Sequence, residues 1–194
     1  MKQNPNLSFA KSLGELLPNG YEKIQVIKNE IVIHVQRDHL IPLIQFLKYH
    51  NNTQFKVLVD IVGVDYPERS ERFEVIYILM SICYNTRIYV KTTTDEFSPI
   101  NSISDVYPAA NWMEREVWDL FGVFFRNHPD LRRILTDYGF EGHPFRKDFP
   151  LNGYVEVRYD DTQKTVVCEP IEITQEFRNF DFHSPWENHN QSLL

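Results

Sequence analysis

"RFEVIYILMSICYNTRIYVKT", residues 72–92, carries two strand-like runs on either side of Asn85-Thr86. The first contains Val75 to Met80, the longest unbroken apolar stretch of the chain. Six apolar residues rich in Val, Ile and Tyr fit a buried strand and fall far short of the ~18–20 needed to span a bilayer. The run after Asn85 fits its antiparallel partner, so the segment is expected to be a β-hairpin. A second hairpin is expected in "EKIQVIKNEIVIHVQ" (22–36), turning at Lys28-Asn29-Glu30, and a buried strand in "FKVLVDIVGVDYP" (55–67). Helical spacing appears between them. "KSLGELLP" (11–18) is expected to form a short amphipathic helix ended by Pro18. "RDHLIPLIQFLKYH" (37–50) places Leu40, Leu43, Ile44 and Leu47 on one face, with Asp38 as N-cap and Pro42 in the tolerated first turns. Hairpins mixed irregularly with helices predict an α+β class. The expected architecture is a mixed, mainly antiparallel sheet with helices packed on it, plus an extended C-terminal arm.

The next segment, "NWMEREVWDLFGVFF" (111–125), fits a helix ended by Gly122. Met113, Val117, Leu120 and Phe121 share a face. At about 100° per residue, Glu114 falls between Phe121 and Trp118, and Glu116 between Trp112 and Leu120. Arg115 and Asp119 share the remaining side, one turn apart. No broad polar face is left, so the helix is expected to be covered on more than one side, by its own domain or by another protein. Carboxylates beside aromatic rings then need partners. Arg126, Arg132, Arg133, Arg146 and Lys147 are the expected source for Glu114 and Glu116, while Arg115 could pair with Asp119 along the helix.

Three segments are expected: an N-terminal helical segment over 1–20, an α+β domain over 21–150, and an arm over 151–194. The arm has strand-like pieces and no helical face, yet carries Phe177, Phe180, Phe182 and Trp186. Aromatics without a local core suggest anchors laid against a partner.

Composition narrows the function. The net charge of −7 opposes a general nucleic-acid binder, and acids dilute the Arg/His-rich run from 126 to 148. Cys83 and Cys168 cannot supply a four-thiolate iron–sulfur cluster. Neither GxGxxG nor GxxxxGK[ST] occurs, and GxSxG and CxxCH are absent. Glu114 and Glu116, two residues apart on a helix, point about 160° apart and cannot converge on one substrate. No catalytic, cofactor-binding or metal site is therefore expected. A weaker rival is a stand-alone metal-dependent hydrolase using His128 and His143, with Asp130 or Asp148 completing the set. Their spacing matches no HExxH or CxxC…H pattern. The N-terminus has no long apolar stretch and no Arg before Arg37, which makes a poor secretory signal or mitochondrial presequence.

"EREVWDLFGVFFRNHPDLRRIL" (114–135) resembles the signature of the thirty-kilodalton subunit family of respiratory complex I. Glu114, Arg115, Glu116, Asp119, Leu120, Phe121, His128, Arg132, Ile134 and Leu135 match its pattern, with Arg133 inside it. "DYGFEGHPFRKDFPLNGYVEVRYD" (137–160) extends the likeness, and "EPIEITQEFRNFDFHSPWE" (169–187) is similar to the mitochondrially encoded form. The resemblance implies a non-catalytic structural and assembly subunit of the matrix arm of proton-translocating NADH:ubiquinone oxidoreductase. FMN, iron–sulfur clusters, NADH and ubiquinone would be bound by other subunits. The implied neighbours are the forty-nine-kilodalton quinone-site subunit and the iron–sulfur subunits, on the matrix side of the mitochondrial inner membrane. An organelle-encoded origin would also fit.

Overall fold

The computed structural model describes residues 5–17, 20–178 and 180. The chain divides into two units, residues 1–151 and 152–194. In the first, α1 (Pro5–Leu16) precedes the hairpin β1 (Tyr21–Ile27) and β2 (Glu30–Val35). Lys28 and Asn29 both take positive φ, as a two-residue turn matching strand twist requires. A single 3-10 turn, Arg37–His39, leads into α2 (Leu40–Tyr49). His39, not Asp38, stands at the cap of α2, and no side chain caps it. The extra 3-10 turn moves the helix start past Asp38 and leaves Pro42 as the third helical residue.

β3 (Val57–Asp65), β4 (Phe73–Ser81) and β5 (Thr86–Thr94) follow. The five strands lie in the order β1-β2-β5-β4-β3. Only the β2–β5 pairing is parallel, so the sheet is mixed and mainly antiparallel. Alternate residues of β4, Phe73, Val75, Tyr77 and Leu79, are fully or almost fully buried. They join Leu13 of α1 and Leu40, Leu43, Ile44 and Leu47 of α2 in one core. The same core takes in Val117, Leu120 and Phe121 of α3 (Ala110–Phe121). α3 lies directly on β3: a Cβ at Gly63 would come within 2.7 Å of the Phe121 ring.

A short parallel pair, β6 (Ile100–Asn101) with β7 (Phe125–Arg126), clasps the chain before and after α3. That clasp brings Ser102 and Ile103 to the flank of the helix. No helix among the described residues is long and apolar enough to cross a membrane.

The second unit contains an antiparallel ribbon, β8 (Val155–Asp160) with β9 (Thr165–Pro170). Its register opposes Val155 to Pro170, Val157 to Cys168 and Tyr159 to Val166, so six apolar residues share one face. The other face carries the Arg158–Glu169 fork, at 2.7 and 2.8 Å. Val155, Val157, Tyr159 and Val166 are each more than half exposed. Phe177 and Phe180 are exposed as well, while Phe182 and Trp186 lie outside the described residues.

Candidate functional site

α3 ends where a left-handed residue is needed: Gly122 has φ +79°, and its N–H donates to the Trp118 carbonyl at 2.9 Å. Any side chain there would also strike Arg146 and His143. These two residues belong to the loop that caps the helix. The last four carbonyls of a helix have no partner within it. Here Trp118 is served by Gly122, and Asp119 by Nδ1 of His143 at 2.9 Å. Leu120 accepts from the Phe145 amide at 3.0 Å, and Phe121 from Nε of Arg146 at 2.6 Å. The Arg146 cation also sits at the negative end of the helix dipole. The loop is pinned in turn to the sheet. The Lys147 amide donates to Asp65 at 2.8 Å, and Arg72 bridges Asp65, Glu96 and Asp148.

Asp119 is wholly buried and accepts five hydrogen bonds from the 133–136 segment. The amides of Ile134, Leu135 and Thr136 donate at 3.1, 2.8 and 3.0 Å, the Thr136 hydroxyl at 2.7 Å and Arg133 at 3.1 Å. Burial alone would raise its pKa. The Thr136 hydroxyl and the three amides outweigh that and hold it well below the usual carboxylate range.

Glu114 is equally buried but takes only two donors, the Ser102 hydroxyl at 2.6 Å and the Ile103 amide at 2.8 Å. Burial dominates, Asp105 adds a like charge, and the pKa is pushed up to about 7. The fully buried Tyr77 hydroxyl makes no hydrogen bond among the described residues. Burial first, and then the Glu114 charge, raise the Tyr77 pKa well above its ordinary value.

These contacts correct the expected pairings. Glu114 draws its donors from upstream of the helix, because the β6–β7 clasp delivers Ser102 and Ile103 there; from the downstream loop, among the described residues, it meets only His128, 3.8 Å away. Glu116 is exposed, and no hydrogen bond or ion pair to it is seen among the described residues. Arg115 does not pair with Asp119. Its Nε and Nη2 donate to the carbonyls of Arg132 and Arg133, at 3.1 and 3.2 Å. Trp112 and Glu116 form an open strip on the helix.

The remaining signature residues divide in two. Leu120 and Phe121 lie in the core, and the His128 side chain is buried. Ile134 is half-buried, whereas Leu135 and Arg132 are exposed. His128 uses both ring nitrogens on backbone: Nε2 lies 3.1 Å from the Asn111 carbonyl, and Nδ1 accepts from the Asp130 amide at 3.1 Å. That arrangement assigns the neutral tautomer protonated at Nε2. His143 is held against the helix end, and burial first lowers its pKa. Among the described residues no group of three or more His, Cys, Asp or Glu side chains could hold a metal. Asp148 is bound to Arg72, and Asp130 to Arg132 at 2.9 Å. The hydrolase reading thus finds no assembled ligand set.

Sequence reasoning missed Ser102, Thr136, Asp65 and Arg72. Asp65 and Arg72 flank the β3–β4 turn, and opposite charges across a hairpin are a readable pairing signal. Ser102 and Thr136 carry no comparable mark.

The family described as "Respiratory-chain NADH dehydrogenase, 30 Kd subunit" matches residues 33–155. "NADH-ubiquinone oxidoreductase subunit 9" of Reclinomonas americana is 57% identical over 191 residues, covering 96% of this chain and 94% of the relative. "NADH dehydrogenase (ubiquinone) iron-sulfur protein 3" of Marchantia polymorpha is 62% identical over 187 residues, covering 96% of each. Among solved structures, a chain of the membrane-bound sulfane sulfur reductase, an archaeal respiratory membrane complex, superposes with a TM-score of 0.64. It is 28% identical and covers 75% of this chain and 85% of that one. The second relative is named for iron and sulfur, but the residues here do not fit a four-thiolate cluster. Cys83 and Cys168 are the only thiols, and both are exposed and unbridged.

Proposed function

The chain belongs to the 30 kDa subunit family of respiratory-chain NADH dehydrogenase, complex I, and from that membership we propose that it acts as a non-catalytic structural and assembly subunit. Its place is the matrix arm, peripheral to the mitochondrial inner membrane, beside the forty-nine-kilodalton quinone-site subunit and the iron–sulfur subunits. FMN, the clusters, NADH and ubiquinone are bound by those other subunits, and an organelle gene is the natural source of the chain.

One observation carries this reading. Nε and Nη2 of Arg115, the carboxylate of Asp119 and the ring nitrogens of His128 are committed to the protein's own backbone or loop. They fasten a loop to a helix.

The second unit supports the docking role. A two-stranded ribbon is marginal in water by itself, and this one exposes Val155, Val157, Tyr159, Val166, Cys168 and Pro170 on one face. Such a face calls for protein cover. Phe177 and Phe180, with Phe182 and Trp186 beyond them, act as further anchors of this arm on partner subunits. Deleting 152–194 tests this. The expected result is at least a tenfold fall in assembled complex, with the melting temperature of the first unit unchanged. Undiminished assembly would reject the docking role.

A further inference from the structure

Between the start of α3 and the 132–139 loop lies an open groove of about 810 Å³. Arg115 lines it, 7% exposed. Its two carbonyl contacts satisfy N–H groups, and its cation lies 5.2 Å from the Trp112 ring. Neither neutralises the charge. Arg133 has Asp119 at 3.1 Å and Arg132 has Asp130 at 2.9 Å, but no carboxylate lies within 4.0 Å of Arg115 among the described residues. A buried cation without a counter-ion is strongly unfavourable, and a guanidinium fork is shaped for a carboxylate.

The walls add a second observation. Trp112 is 65% exposed, Leu135 61% exposed and Tyr138 fully exposed. Exposed aromatics around an arginine are the composition of a protein-binding hot spot, not of a solvated surface. Of the three arginines lining the groove only Arg115 lacks an ion pair among the described residues, and Asp137, the one carboxylate in the lining, is not within 4.0 Å of it.

We propose that the groove receives an acidic segment of another subunit of the complex, whose carboxylate supplies the missing counter-charge of Arg115 while its apolar side chains pack on Trp112, Leu135 and Tyr138. The apolar walls select a peptide carboxylate over a free phosphate or a lipid headgroup. This proposal rests on the subunit reading above.

Two measurements on the assembled complex test it. In hydroxyl-radical footprinting, Trp112 and Tyr138 should react at least tenfold more slowly in the complex than in the purified chain. Replacing the exposed Tyr138 by Lys then places an amine on the groove rim for zero-length carbodiimide coupling. The expected product joins residue 138 to an Asp or Glu of a different subunit. Its yield should fall at least tenfold in the double variant Tyr138→Lys with Arg115→Gln. If that double variant fails to assemble, Tyr138→Lys with Arg132→Glu, which changes only an exposed groove residue, should show the same loss. Unprotected Trp112 and Tyr138, coupling confined to this chain's own acids, or coupling to a second copy would each overturn the proposal. A complex that retains the chain yet shows those results refutes the groove and leaves the subunit role standing. A chain absent from the purified complex removes both.

Discussion

Glu114 and Asp119 sit five residues apart on one helix, both wholly buried, yet their proton affinities move in opposite directions. Burial pushes each carboxyl towards its neutral form, and more strongly for the deeper-set Glu114. Donor supply widens the difference. Asp119 receives five hydrogen bonds, three from consecutive backbone amides and one from a guanidinium. Glu114 receives two, and its charge acts on the buried Tyr77 hydroxyl, which makes no hydrogen bond among the described residues. A buried carboxylate is stabilised by how many N–H and O–H groups converge on it, and two do not offset what burial takes away. Asp119 therefore organises a loop as an anion, while Glu114 is poised to be neutral near pH 7.

The contrast is sharpest if Asp119 is removed. Asp119→Ala strips the counter-ion from Arg133 and the acceptor from four further donors, and should cost about 3–5 kcal/mol in denaturant unfolding. A loss below about 1 kcal/mol would mean that the loop holds without it.

For Glu114 the expected effect is a pH dependence. Its folded pKa, about 7, stands above the ordinary 4.5, so the folded state binds this proton more tightly than the unfolded chain. The stability it confers is complete below pH 4.5 and is lost as pH rises through 7, with a span of about 3 kcal/mol. Asp119 has the opposite sign: its contribution is present above pH 3.8 and is lost as pH falls below that. Glu114→Gln keeps an acceptor for the Ile103 amide and carries no charge. The stability difference between the Glu114→Gln variant and its parent should grow in favour of the variant between pH 5 and 8. A difference independent of pH would show that Glu114 is ionised at little cost.

Glu116 marks the lower bound. Exposed and outside both networks, it should change stability by no more than about 0.5 kcal/mol when replaced by Ala. A larger loss would reveal a contact that the folded chain does not show.

Local chemistry was legible in the sequence. Lys28-Asn29 marked a turn, the Val75–Met80 run a buried strand, and Gly122 a helix end, because each depends on neighbours within a few residues. The apolar face of α3 and the presence of buried charge within it were readable for the same reason. Their partners were not. Asp119 is held mainly by backbone amides, which every residue possesses and no sequence pattern announces. Glu114 is held by Ser102 and Ile103 because β6 and β7 meet around the helix, a pairing of two-residue strands with no periodicity to detect. Asp38 looked like a helix cap, but the 3-10 turn before α2 shifted the start past it.

The most direct test of a structural role for these charges is turnover per assembled complex. Membranes carrying Asp119→Asn or Glu114→Gln should be compared for complex content on native gels and for NADH:ubiquinone activity normalised to that content. Asp119→Asn is expected to lower content, with normalised turnover within about twofold of the parent for both variants. Full content with turnover lost tenfold or more would place these carboxyls in the reaction itself and contradict the account.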